Sequence, residues 1–334
     1  MTIKTKRKPQ TYASVRILSA AVMAGLVPLG AQAVDNKFQG QIGGKTATQA
    51  TQSAISGAIS NLGGAGMFRI SLSSADGSTN IKRGASAGDE GSPWTLWATP
   101  IVTQVNNRID PITSKGSVGI VMLGLEHNQD DELIRGVILA FDQASLDTPY
   151  NSGTVKGNGY TVSPYIALPL NDTWMLDASA GLGKNDLKTN ISGTTASPKD
   201  DRSLVSIGLT KSQSTKNRWL VNTKLGYSYS RDEVGTYTDS SGASTATSTS
   251  TLNQLKVGVH ATYMAEKLKP FVGVYSMFND FSVTGGSATK PKEYSVTPQL
   301  QFGISPSAGP IYASVVAQVE RDRSAIRAYF GYRY

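Results

Sequence analysis

Two histidines and no cysteine set the chemical reach of this 334-residue chain. Without Cys there is no disulfide, no thiol nucleophile and no cysteine-ligated metal. A Ser-His-acid relay would have to use His127 or His260. His127 stands in the run Glu126-His127-Asn128-Gln129-Asp130-Asp131, whose polarity marks an exposed rim rather than a catalytic base. His260 alternates with Lys256 and Thr262, which points to a solvated imidazole on the polar face of a strand. The acidic runs Asp130-Asp131-Glu132 and Asp200-Asp201 offer the hard oxygen ligands that calcium takes, free or bridging lipopolysaccharide. The order Asp-x-Asp-x-Asp-Gly with a downstream Glu is missing, so they read as solvated turns. The inventory predicts no enzyme, no metal and no cofactor.

The cations inside alternating segments say more. Over 218–231, Trp219, Val221, Thr223, Leu225, Tyr227 and Tyr229 share one face of a strand, and Leu220, Asn222, Lys224, Gly226 and Ser228 the other. Over 252–265, Leu255, Val257, Val259, Ala261 and Tyr263 oppose Lys256, Gly258, His260 and Thr262. The last segment sets Ile326, Ala328, Phe330, Tyr332 and Tyr334 against Arg327, Tyr329, Gly331 and Arg333. A lysine facing lipid at mid-depth costs about 2–4 kcal/mol, so the charged faces point inward if these strands cross a bilayer. Lys224, Lys256, His260, Arg327 and Arg333 are then expected to line a lumen.

From residue 93 onward about twelve such segments follow one another: 94–106, 117–128, 133–143, 159–170, 173–185, 203–212, 218–231, 252–265, 269–281, 294–305, 311–321 and 325–334. The faces of the first and ninth are ambiguous. Tight turns follow the even-numbered segments, and mostly longer polar loops, such as 191–202, 232–251 and 282–293, follow the odd ones. Short connections at one end and long ones at the other describe an up-and-down outer-membrane barrel. The fold class expected is all-β, a transmembrane antiparallel barrel of about twelve strands with a short N-terminal helix. Its last segment must pair with its first, because hydrocarbon cannot satisfy an open sheet edge.

A mean hydropathy of −0.21 and the lack of a long apolar run exclude a polytopic helical membrane protein, but not a barrel. The net charge of +8 is concentrated at the start. The first 33 residues hold five bases and no acid, and 32 bases less these five leaves 27 against 24 acids, a net +3. That balance gives no electrostatic case for nucleic acid. The basic start, the apolar run 17–30 and Ala31-Gln32-Ala33 predict a cleaved signal peptide over 1–33.

Residues 34–92 are expected to form a leader, with a thin small-residue helix over 46–62 ended by Gly63-Gly64 and a Gly/Ser/Asp-rich linker behind it. The barrel takes 93–334. All four tryptophans, Trp94, Trp97, Trp174 and Trp219, open odd-numbered segments and read as a lower interfacial girdle with Tyr263, Tyr332 and Tyr334. Phe141, Tyr160, Tyr229, Phe278 and Phe281 read as the upper one. Glycines 124, 136, 183, 208, 226, 258, 303 and 331 recur on the lumen face. They leave two readings open: curvature that closes the sheet, or room for a threaded helix.

With these residues in place, the C-terminal 240 or so residues resemble the β-domain of autotransporters, the translocator of type V secretion. The likeness rests on the Trp-bearing first segment Pro93-Trp94-Thr95-Leu96-Trp97, the second segment over 119–125, its partner over 136–141, and the terminal aromatic alternation over 329–334. The resemblance implies that Phe330, Tyr332 and Tyr334 are the signal read by the barrel-assembly machinery. It further implies periplasmic chaperones, lipopolysaccharide and outer-membrane lipid as partners, a monomer, and residence in a Gram-negative outer membrane. Two features depart from the family: only 59 residues separate Val34 from Pro93, where a long passenger would stand, and about 30 residues separate the helix from the first strand. The expected function is translocation or display of a very short N-terminal segment. Two others remain open: a small diffusion pore, and an adhesin acting through its long loops.

Overall fold

The computed structural model describes residues 39–62, 94–107, 113–129, 133–286, 292–308 and 311–333. Helix α1 runs Gln39–Leu62 and is followed by β1 Trp94–Asn107, β2 Ser114–Gln129, β3 Leu133–Thr148, β4 Gly153–Pro169 and β5 Trp174–Ile191. The chain continues through β6 Thr194–Ala196, β7 Lys199–Ser214, β8 Trp219–Val234, β9 Tyr237–Thr238, β10 Ser244–Thr245 and β11 Ser248–Tyr263. It ends with β12 Leu268–Gly285, β13 Lys292–Ala308, β14 Ile311–Glu320 and β15 Arg323–Arg333. Twelve of these strands, all but β6, β9 and β10, form one antiparallel cylinder in which each pairs with its chain neighbours. β1 closes it against β15, from Thr95 opposite Arg333 to Val105 opposite Arg323. No described helix is long and apolar enough to cross a membrane, which has no bearing on strands.

Most barrel strands run 16 to 18 residues, longer than the 10 to 14 that alternation alone predicts. A lipid-facing band about 25 Å tall needs only part of a tilted 16-residue strand, so apolar alternation marks the band and not the strand. The extensions lie at the long-loop end. Residues 199–202 and 232–234, expected in loops, are strand, and residues 237–245, within the expected polar loop 232–251, carry the β9–β10 hairpin. That hairpin is tied to β6: Ser240 N donates to Thr195 O at 2.8 Å, and Thr195 N to Ser240 Oγ at 3.0 Å.

The two faces separate by residue type. Val121, Leu123, Leu125, Phe141, Val257, Val259, Val272 and Val274 are exposed to the outside, while Lys224, Arg327, Gln299 and Thr262 are buried inside. The ambiguous first segment resolves with Trp97, Ile101 and Val105 inward, and the ninth with Phe271, Tyr275, Met277 and Phe281 inward. Trp97 and Phe281 therefore leave the girdles assigned to them. Trp94 and Trp97 are three residues apart, an odd number, so a pleat that turns Trp94 outward must turn Trp97 in. Trp94 and Trp219 are exposed and Trp174 is partly so, with the Lys211 ammonium 5.5 Å from its ring.

Four inward rings share one device. Trp97 lies directly across the ladder from Gly124, Tyr165 from Gly136, Tyr275 from Gly258 and Phe271 from Gly303. A Cβ on Gly124 would sit 2.0 Å from Trp97 Cε2, and one on Gly303 2.6 Å from Phe271 Cζ. At these positions the lumen glycines make room for rings laid flat on the wall, a third use beside the two the sequence left open.

Prolines inside strands cost the ladder a donor. On the β4–β5 ladder the pairing skips Ser163 and Pro164, between Val162 opposite Leu182 and Tyr165 opposite Ser179. On the β13–β14 ladder it skips Ser305 and Pro306. In both places the preceding serine substitutes: Ser163 Oγ donates to Ala180 O at 3.1 Å, and Ser305 Oγ to Ala313 O at 3.0 Å. At the closing seam the ladder skips Thr99 and Pro100, and there Thr99 Oγ1 is buried with no hydrogen-bond partner. Ser163→Ala should lower unfolding stability by about 1–3 kcal/mol, the cost of a stranded buried carbonyl. Adding Pro164→Ala should return most of it by restoring an N–H, and urea unfolding in detergent micelles reads both changes.

Candidate functional site: the helix-filled lumen

α1 lies inside the cylinder. Its contacts progress in order from the long-loop end, near Gly153 and Ile191, toward the end where β1, β5 and β8 begin. Ile42 packs with Leu146, Val155 and Leu187. Further along, Thr48 Oγ1 donates to Asp232 and Thr51 Oγ1 to Asp142, the latter at 3.3 Å. Ser56 and Gly57 then reach the level of Asp177 and Lys224. At about 1.5 Å per residue, 24 residues extend about 36 Å, enough to cross a hydrocarbon core of about 30 Å.

The helix begins at Gln39, seven residues earlier than its small-residue periodicity predicts over 46–62. Gly40, Gly43 and Gly44 hide the extension, since each costs about 1 kcal/mol relative to Ala in a helix. Close approach accounts for two of them: a Cβ on Gly43 would meet Val155 Cγ1 at 2.6 Å, and one on Gly44 would meet Asp200 Oδ2 at 2.9 Å. Ala47, Ala50, Ala54, Ile55, Ala58 and Ile59 join Trp97, Ile101, Ile120, Met122, Ile138 and Met175 in one apolar cluster. A polar lumen therefore carries an apolar stripe where the helix rests against it, and this is why β1 carries bulk on both faces.

Two polar networks flank that stripe. Near the long loops, the fully buried Arg202 guanidinium donates from Nη1 to Asp142 Oδ1 at 2.7 Å and to Thr51 Oγ1 and Thr161 Oγ1 at 3.4 Å. Its Nε stands 3.7 Å from Asp232 Oδ1, the carboxylate that Thr48 also reaches. Four strands, β3, β4, β7 and β8, and the helix are thus joined through one cation. On β11 and β13–β15, Lys256 Nζ donates to Gln299 Oε1 at 2.6 Å, Gln299 Nε2 to Glu320 at 2.7 Å, and Arg327 Nη2 to Gln318 Oε1 at 2.8 Å. Arg323 pairs with Glu320 at 3.0 Å.

The sequence of residues 96–298 matches the profile of the autotransporter beta-domain family, well over half of the chain. The chain belongs to the autotransporter β-domain family. Among solved structures it is similar to the translocator domain of the autotransporter NalP from Neisseria meningitidis, with a TM-score of 0.67 at 10% identity over 90% of this chain and all of that one. It is also similar to the transport unit of the autotransporter AIDA-I from Escherichia coli, at 0.56 and 11% over 85% of this chain and 98% of that one. The β-domain of the Bordetella autotransporter BrkA matches at 0.54 and 20%, over 74% of this chain and all of that one. These identities speak to fold alone. A comparison with curated proteins found no match. Autotransporter β-domains are barrels of Gram-negative outer membranes and serve type V secretion.

Within this autotransporter barrel, Lys224, Lys256, His260 and Arg327 all stand on the inner face. His260 is not solvated as expected: it is 3% exposed, stacked on Phe271 at 4.8 Å, with Nδ1 3.4 Å from the Tyr275 hydroxyl. The flat ring of Phe271, admitted by Gly303, is what excludes water there. His127 sits edge-on to Trp94 at 4.6 Å, half-buried and not an open rim residue. Phe330 and Tyr332 face outward, whereas Tyr334 and the side chain of Arg333 lie outside the described residues. Asp201 is exposed and 3.5 Å from Lys184 while Asp200 is buried, so the pair divides across the two faces of β7 and is no turn. The signal peptide 1–33, the linker 63–92, and Asp130-Asp131-Glu132 also lie outside the described residues. So does Gly84-Ala85-Ser86-Ala87-Gly88, which has the Gly-x-Ser-x-Gly form of a hydrolase elbow and stands in Gly/Ser/Asp-rich sequence.

The Arg202 network went unread in the sequence. Its signal was available: Asp142 already falls on the inner face of segment 133–143, and Arg202 and Asp232 keep inward parity once segments 203–212 and 218–231 are each continued by one residue. Arg202→Met should strand the acids around it and destabilise the barrel by about 3–5 kcal/mol. Planar-bilayer recording should show higher conductance than wild type as α1 loosens.

Proposed function

We propose that this β-domain translocates the segment N-terminal to α1, displays it on the cell surface, and keeps α1 in the lumen afterwards. One observation carries the reading: α1 points its N-terminal end, through Ile42, at Leu146, Val155 and Leu187 beside the long loops. Short periplasmic turns and long external loops are the rule for such barrels, so residues ahead of Gln39 emerge outside. The occupied lumen weighs against an open diffusion pore. Export begins with removal of the signal peptide 1–33 at Ala33. Outward-facing Phe330 and Tyr332, together with Tyr334, present the strand-end aromatics that the barrel-assembly machinery reads, with periplasmic chaperones holding the chain beforehand. The closed cylinder has no free edge that calls for a second copy, which fits a monomer among outer-membrane lipid and lipopolysaccharide.

An epitope placed immediately before Gln39 should be bound by antibody on intact cells and be clipped by external protease, leaving the barrel whole. If the epitope became accessible only after the outer membrane is permeabilised, the direction assigned to α1 would be wrong.

A further inference from the structure

The side of α1 that faces β8, β11 and β15 is incompletely packed. A cavity of about 60 Å³ lies there, between Ser53, Ser56 and Gly57 of the helix and the wall. That is room for a few waters or one compact ion. Lys224, Lys256 and Arg327 line it, and Asp177 is the carboxylate among its lining residues. The neighbouring acid, Glu320, is already engaged by Arg323 at 3.0 Å and by the Gln299 and Gln318 amides at 2.7 and 2.6 Å. Among the described residues three cations line the chamber with one carboxylate, an excess of positive charge away from bulk water, where it is costly unless a counter-charge is present. Two donors at the chamber, Ser56 Oγ and Arg327 Nε, are buried with no hydrogen-bond partner.

The space is kept open by what the wall lacks. Gly226 on β8 lies opposite Gly208 on β7 at the back of the chamber; the room at Gly208 is taken by the Asp177 carboxylate, 2.5 Å from where a Cβ would stand, while that at Gly226 is empty. A Cβ on Gly226 would meet nothing nearer than Ile207 O at 3.8 Å. A void of about 10 Å³ shares Ser53 and Arg327 with the chamber, and shares Glu320 and Arg323 with a second void of about 60 Å³ beside Lys45 near the long-loop end.

We propose that this chamber binds one tetrahedral oxyanion of the phosphate or sulfate class, held by Arg327, Lys224 and Lys256 and closed on the helix side by Ser56. A planar guanidinium satisfies two oxygens of such an ion and leaves the others for ammonium and hydroxyl donors, which a spherical halide cannot exploit. The ion ties α1 to β8, β11 and β15, on the opposite flank of the helix from Arg202. This inference is independent of which way α1 was threaded.

The test is calorimetric titration of the intact folded protein in detergent with sodium phosphate, at an ionic strength held constant with sodium chloride. One saturable site is expected. Binding should weaken at least tenfold in Lys224→Met, which removes a cation, and in Gly226→Phe, which fills the space, each first shown to be folded by heat-modifiable gel migration. No saturable uptake by the wild type over the chloride background overturns the proposal, and this arm needs no variant to fold. Undiminished binding in both variants also overturns it, by assigning the ion to another surface.

Discussion

Hydrocarbon offers no partner to a peptide N–H or C=O, and every feature of the cylinder follows from that. The last strand must find the first, and it does, with β15 laid along β1 from Arg333 to Arg323. The same constraint explains the care taken over proline. Where Pro164 and Pro306 deprive a cross-strand carbonyl of its donor, a serine hydroxyl one residue earlier reaches over to replace it. These serines face the lumen, so the repair is made from the polar side and costs the lipid face nothing. At Pro100 the ladder is also interrupted, but Thr99 makes no such bond, and the closing seam is thereby the least evenly hydrogen-bonded of the three places.

Closing the sheet creates a second problem, a lumen that must be filled. α1 fills it with small side chains, and the fit is made by two unlike surfaces rather than one. An apolar stripe from Trp97 to Met175 receives the Ala/Ile face of the helix, while its threonines bond to carboxylates that Arg202 holds in place. Burying a charged cluster of this kind contributes little net stability compared with an apolar core. What it supplies is register: Thr48 and Thr51 have hydrogen-bond partners at one height along the bore. The autotransporter β-domain thus holds its helix by a defined set of polar contacts on one flank and by packing on another.

Much of this was legible in the chain, for a local reason. Lys224 and Lys256 each sit among alternating apolar residues, and the cost of a lysine in lipid is large enough to decide the facing of a whole strand. Strand number and closure followed from the same period-two pattern. Legibility failed where the inner face is not polar. Trp97 and Phe281 look outward by type, and the helix, which no strand pattern announces, meets both of them inside: Trp97 packs in its Ala/Ile cluster and the Lys45 ammonium stands 3.6 Å from the Phe281 ring. It failed again beyond the apolar band, where Arg202 and Asp232 continue their strands without greasy partners, so that Asp200-Asp201 resembled a turn. The glycines at the start of α1 concealed its first turns in the same way, since their purpose lies in Val155 and Asp200, more than a hundred residues away.

The rings laid across from glycine have a bearing on how such a barrel can change over generations. Each pair, Trp97 with Gly124, Tyr165 with Gly136, Tyr275 with Gly258 and Phe271 with Gly303, spans two strands but occupies a single volume. Enlarging the small member alone drives the large one into the bore, where the helix already stands. Shrinking the large member alone opens a gap beneath the helix. Such positions can drift only in step, as two-letter words written across the wall, and the caliber of the conduit is set by how many of those words are spelled with an aromatic.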